Sequence, residues 1–212
     1  MTGVLTYNVP HRKTYDTLCL LKASGYDDVT VFALPLHYKK TFKPLIEHRP
    51  KCSNGISPKE LCLRFDYLYS ERFETLPENT KILICGAGII DQNRIDRYRI
   101  INAHPGFLPN VRGLDALKWA IFENQPVGVT THRLSDKVDC GLLIDRQLVP
   151  VLPGDTFHAV AQRQYELEVA MLVEAIEKIE TATEMITPGG FPVHKRMPNE
   201  QESRLLEAFS KI

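Results

Sequence analysis

Residues 4–34 read VLTYNVPHRKTYDTLCLLKASGYDDVTVFAL, and the pattern changes twice along them. Residues 4–7 are apolar and read as a buried strand. A polar loop over residues 8–13 follows, with Pro10 inside it. Thr14 is a candidate helix N-cap. Residues 15–23 carry apolar side chains at helical spacing, and Gly25 is a stop signal. Residues 29–34 are again strand-like. A strand, a helix and a second strand in immediate succession favour a parallel sheet and an α/β fold.

The later chain continues in the same style. Residues 35–54, rich in Lys, His and Pro, carry no clear period. Ser57, followed by Lys59 and Glu60, predicts a helix to about residue 65. Residues 81–85 are a buried strand that ends in Gly86-Ala87-Gly88, and residues 100–102 form the next strand. A helix over 115–123 follows the Arg112-Gly113 turn. Residues 127–134 and 142–149 read as strands separated by a loop at 135–141. Asp155 and Thr156 cap a long helix over 157–180, with Val160, Leu167, Met171 and Ile176 on one stripe. Residues 188–212 are a polar tail with three prolines, expected to pack as an appendage on a domain of residues 1–187.

Composition excludes several classes. The chain has 212 residues, 43% hydrophobic and 25% charged, as a soluble globular protein does. Lys+Arg 26 balances Asp+Glu 26, which argues against nucleic acid as a partner. The five cysteines include no C-x-x-C pair, so neither a metal site nor a disulfide framework is indicated. Free thiols suit the cytoplasm. The N-terminus lacks the pattern of a signal peptide. The longest apolar run, residues 82–90, is interrupted by Gly86 and Gly88 and is far short of the ~20 residues of a membrane helix.

The chemistry is concentrated at residues 102–113, N-A-H-P-G-F-L-P-N-V-R-G. Residues i and i+2 of a strand share a face, so Asn102 and His104 aim at one point, stiffened by Pro105 and Pro109. An amide donor and an acid/base group converging on one point are what acyl transfer needs. A third polar group, Asp139, lies in Asp136-Lys137-Val138-Asp139-Cys140-Gly141. Taken alone, that loop reads as an ordinary turn, because Asp and Gly are turn formers.

Taken in order, these segments resemble the folate-dependent formyltransferase family. The resemblance covers about residues 82–156. It is carried by N-x-H-P-x-x-L-P-x-x-R-G, by Gly128-Val129-Thr130 with His132, by D-x-x-D-x-G, and by Val149-Pro150 leading to Gly154-Asp155-Thr156. It implies a Rossmann-like, mostly parallel sheet flanked by helices, and transfer of a formyl group from 10-formyltetrahydrofolate to an amine. It implies catalytic roles for Asn102, His104 and Asp139, with His132 in support. The folate pocket it implies lies between Gly86, Gly88, Ile89 and Ile90 on one side and Leu134, Asp136 and Val138 on the other. The Gly86-Ala87-Gly88 triplet reads equally well as a strand-to-helix turn, and a full dinucleotide fingerprint is absent.

Departures from the family pattern bear on the acceptor. Glycinamide ribonucleotide formyltransferases carry a Gly/Ser/Asn loop after the first strand to hold a phosphate. Here that loop has no glycine, and Pro10 stiffens it, which disfavours the purine acceptor. Residues 184–212 are too few for the RNA-contacting domain of methionyl-tRNA formyltransferases. The motif wording is closest to N-formyltransferases acting on nucleotide-linked amino-deoxysugars, which are often homodimers. Asn8, His11, Arg12 and Arg112 are the candidate acceptor contacts. Lys13, Lys39, Lys40, Lys43, His48 and Arg49 add positive charge, and Tyr7, Tyr38 and Phe42 are rings able to stack on a base. The alternatives are the purine acceptor and a non-catalytic folate- or nucleotide-binding module.

Overall fold

The computed structural model describes residues 1–36, 43–51, 55–88 and 90–209. In chain order its elements are β1 (Thr2–Tyr7), α1 (Arg12–Ala23), β2 (Val29–Leu34), α2 (Pro58–Phe65), β3 (Leu68–Ser70), β4 (Lys81–Ile84), α3 (Gln92–Arg97), β5 (Arg99–His104), β6 (Arg112–Gly113), α4 (Ala116–Phe122), β7 (Gly128–Arg133), β8 (Gly141–Leu148), α5 (Phe157–Lys178), β9 (Met185–Ile186), β10 (Val193–His194) and α6 (Asn199–Phe209).

Eight strands form one sheet in the order β3-β2-β1-β4-β5-β7-β8-β9. The pairs from β3 to β5 are parallel, and β7, β8 and β9 add antiparallel strands beyond β5. The order 3-2-1-4-5 runs outward in both directions from β1 and β4. The crevice at the carboxyl ends of those two strands is where open α/β sheets bind ligands. Among the described residues no helix is long and apolar enough to cross a membrane.

Alternation along the strands divides the core in two. Val4, Val31, Leu83, Ile101 and Ala103 enter the larger cluster, which α1, α2, α4, α5 and α6 cover. Leu5, Phe32, Ile82 and Ile100 face the other way, into a smaller cluster with Leu76 and Tyr98. Asn102 and His104 follow Ile100 at two-residue steps, so they point to this more thinly covered face.

The ends of the helices follow local chemistry. The Ser57, Asp91 and Thr156 side chains accept from the backbone N–H three residues on, each a conventional N-cap. Thr14 is not a cap. The helix begins at Arg12 with His11 as its cap residue, and the buried Thr14 hydroxyl instead pairs with that of Thr6 and bonds His11 Nδ1 at 2.9 Å. The polar tail returns to the domain. β10 pairs with β6, the Trp119 indole donates to the Lys195 carbonyl at 2.9 Å, and Leu205 of α6 is fully buried. Lys118 and Glu202 form an ion pair in the core, both about 1% exposed or less.

Candidate active site

His104 ends β5 and is held from both sides of its ring. The Nε2 atom lies 2.9 Å from the Val111 carbonyl. A carbonyl can only accept, so Nε2 carries a proton. Nδ1 faces Asp139 Oδ1 at 3.4 Å. The other Asp139 oxygen, Oδ2, accepts from the Gly113 N–H at 2.6 Å. Imidazole and carboxylate are both nearly buried. The Asn102 amide lines an open cleft.

The loop after β5 is fixed by buried polar side chains. The Thr130 hydroxyl donates to the Gly106 carbonyl at 2.8 Å and accepts from the Leu108 N–H at 3.0 Å. The Gln164 amide, on α5, donates to the carbonyls of Pro105 and Gly128 at 3.0 and 2.9 Å. Gly106 is small for a reason: a Cβ there meets His104 Nε2 and the Val111 oxygen, both at 2.7 Å. A single added methyl therefore lands on the hydrogen bond that orients the imidazole.

His132 lies directly across from Asn102 in the antiparallel β5–β7 register. Its Nδ1–H donates to the Cys140 carbonyl at 3.1 Å, and Nε2 has no protein partner among the described residues. Burial lowers its pKa to about 4, although the Asp139 charge pulls the other way. The ring is neutral and presents a lone pair beside the site.

A cleft of about 390 Å³ opens beside Asn102, lined in part by His11, Lys13, Arg49, Ala87, Tyr165 and Glu168. Glu168 is buried on α5. Its carboxylate takes Lys13 on one oxygen at 2.7 Å and Arg49 on the other. Burial raises its pKa, but Arg49 and Lys13 outweigh that and hold it down to about 2. Two cations on one carboxylate leave the cleft a net positive charge. Burial first, then Lys13 and Arg49, lower the His11 pKa. A second cavity of about 350 Å³ lies on the other side of Ala87, between Tyr7, Leu34–Leu36 and Gly88.

The remaining candidate residues are spread more widely. A Cβ on Gly86 meets the Tyr7 ring at 2.8 Å, so the flat group against that glycine is the chain's own tyrosine. Gly88 is open. Ile90 and Leu134 pack on the smaller core cluster. Asp136 and Val138 are exposed and line neither cavity. Ile89, Tyr38, Lys39, Lys40 and Phe42 lie outside the described residues. Asn8 donates its backbone N–H to Leu34 at 3.0 Å. Arg12 is engaged by Asp16 at 2.6 Å and does not line the cleft. Arg112 is buried. Its guanidinium donates to the carbonyls of Val138 and Phe191 at 2.6 and 3.4 Å, and so braces the Asp139 loop from behind. No motif in the sequence marks Glu168, Gln164 or Tyr165. The usable signal was a charged residue on the inward face of α5, where carboxylates are rare unless paired.

Acid should weaken the fold in a defined window. His132 and His48 are held neutral, with burial the main cause for both and pKa values of about 4 and about 3. The unfolded chain protonates both near 6.5, so it binds more protons and stability rises with pH across that range. Each group removes up to about 1.4 kcal/mol per pH unit as pH falls from about 6.5 to its folded value. Glu168 adds its own loss from about 4.5 down to about 2. Urea unfolding followed from pH 7 to pH 4.5 reads the histidine part, and a flat stability to pH 5 would contradict it.

Residues 83–176 match the formyl transferase family, and this stretch contains Asn102, His104 and Asp139. The match covers less than half of the chain and shows a likeness to that family over this stretch. Methionyl-tRNA formyltransferase of Koribacter versatilis is 33% identical over 121 residues, 55% of this chain and 39% of that protein. The dTDP-4-amino-4,6-dideoxyglucose formyltransferase of Mycobacterium bovis is 31% identical over 105 residues, 48% of this chain and 45% of that protein. The matches thus span less than half of those relatives. Trifunctional purine biosynthetic proteins are also similar. The N-formyltransferase of Helicobacter canadensis, solved with folinic acid and dTDP-3-aminofucose, shares the fold at a TM-score of 0.65 and 16% identity, over 99% of this chain and 81% of that one.

Proposed function

We propose that this chain transfers the formyl group of 10-formyltetrahydrofolate to the primary amine of an amino-deoxysugar nucleotide. The observation that carries the reading is the His104 imidazole held between the Val111 carbonyl and Asp139, with the Asn102 amide two residues earlier on the same face of β5. The acceptor nitrogen bonds to the formyl carbon, the bond from that carbon to N10 of the folate breaks, and the proton shed by the amine ends on N10. In between, negative charge collects on the formyl oxygen. The Asn102 N–H donates to it as an oxyanion hole does. His104 is the proton carrier, and Asp139 sets its ring orientation. The apolar wall of Ala87, Ile90 and Leu134 beside open Gly88 suits a flat pteridine face.

Two features support a nucleotide-linked acceptor. The cleft beside Asn102 carries the cations Lys13 and Arg49, which suit a phosphate. The Mycobacterium bovis relative is named for an amino-dideoxysugar nucleotide, and the Helicobacter canadensis structure holds another. The test is incubation with the formyl donor and a panel of amino-sugar nucleotides, glycinamide ribonucleotide and unphosphorylated amino sugars, with formamide detected by mass spectrometry. Formylation confined to nucleotide-linked sugars is the expected result. Formylation of glycinamide ribonucleotide alone would overturn the acceptor, and no formamide from any amine would overturn the reaction.

A further inference from the structure

We propose that Glu202, in the C-terminal helix, is a positioning residue for the acceptor cleft, acting through the segment that carries Arg49. The proposal rests on the formyl-transfer reading for what the cleft binds, but the contacts themselves stand without it.

The described part of the segment around Arg49, residues 43–51, contains no helix or strand, so a few point contacts set its place. Ile46 is sunk into the larger core cluster. The N–H groups of Leu45 and Ile46 both donate to Glu202 Oε2, at 2.5 and 3.3 Å. The Glu47 carbonyl accepts from His158 Nε2 at 3.0 Å. Arg49 then reaches Glu168. Three Cα–Cα steps separate Ile46 from Arg49, about 10 Å at full extension, so a shift at Ile46 is passed on to the guanidinium.

Glu202 is well made for this task. It is fully buried, and its other oxygen holds the buried ammonium of Lys118 on α4. One carboxylate thus joins α6, α4 and the Arg49 segment. Neither Lys118 nor Glu202 lines the cleft, so both act at a distance from any ligand. The tail of the chain would then tune how well the acceptor is held and leave the chemistry at Asn102 and His104 alone.

Two double variants separate the oxygen from the charge. Lys118→Met with Glu202→Leu replaces the pair by apolar groups of similar size, which buried pairs tolerate, and removes the acceptor for both N–H groups. Lys118→Met with Glu202→Gln also removes the pair but keeps an oxygen for the segment. The leucine variant should raise the acceptor KM about ten-fold, a small displacement being enough for that. Its saturated kcat and donor KM should stay within about two-fold. The glutamine variant should return the acceptor KM close to that of the parent protein. Equal effects in the two variants, or none in a folded leucine variant, would overturn the proposal. Hydrogen exchange on the unaltered protein tests it without any variant or substrate. The Leu45 and Ile46 amides should exchange in the slow class with the core of α6, and fast exchange at both would sink the clamp. If the unaltered protein formylates no acceptor while those amides are slow, the functional reading fails and the clamp stands.

Discussion

Asn102→Ala is expected to lower kcat by about 10²- to 10³-fold, the usual cost of removing one oxyanion donor. The melting temperature should move by only a few degrees, because the amide is partly exposed and lines a cleft rather than the core. KM for both substrates should change little, since the interaction is made chiefly in the transition state. His104→Ala should match or exceed this loss, as proton transfer by a placed side chain contributes ~10²- to 10⁴-fold. In the proposed mechanism Asp139 acts through His104, which it faces at 3.4 Å, so its effect should not add. His104→Ala with Asp139→Ala should be no slower than His104→Ala alone. Single-turnover rates with saturating formyl donor read this directly. An Asn102→Ala protein with more than about a third of the parent kcat would remove the oxyanion assignment.

Features that local periodicity encodes were legible in the sequence. Residues 4–34 read as a strand, a helix and a strand, and the structure has β1, α1 and β2 there. The spacing of Asn102 and His104 implied one shared face, and β5 runs through both. The features that stayed hidden share a physical cause. β3, β6, β9 and β10 are two or three residues long, too short for a period to register, and each exists only because a distant strand lies beside it. Thr14 resembles a cap because a hydroxyl before a helix usually is one. Tertiary partners, Thr6 and His11, claimed it instead. Glu168 reads locally as one more charge on an amphipathic helix. Its meaning comes from Lys13 and Arg49, more than a hundred positions away.

Gly113→Ala is expected to damage fold and site together. Gly113 sits at φ +92 with β10 packed against it, and a Cβ there overlaps the His194 carbonyl oxygen and falls 2.8 Å from the His194 nitrogen. Both atoms are backbone, so no side-chain rotation relieves the overlap and β10 must move off β6. The cost is about 3–4 kcal/mol, in the range of severe backbone disruptions, or roughly 10 °C in melting temperature for a chain of this size. The same shift displaces the Gly113 N–H from Asp139 Oδ2, now at 2.6 Å. Asp139 is itself at a positive φ of 49°, so the lost bond removes a restraint on a strained residue, and His104 loses its oriented partner. Activity at about 20 °C, where the variant is still folded, should therefore fall at least ~10-fold. Gly154→Ala separates strain from clash: Gly154 has φ +83, but a Cβ added there meets nothing within 4 Å. That variant should cost only about 1–2 kcal/mol and retain its rate. If the two alanine variants melt together and react alike, β6–β10 pairing does not hold Asp139 in place. If only Gly113→Ala is slow while folded, the short β6–β10 pair is what couples the polar tail to Asp139.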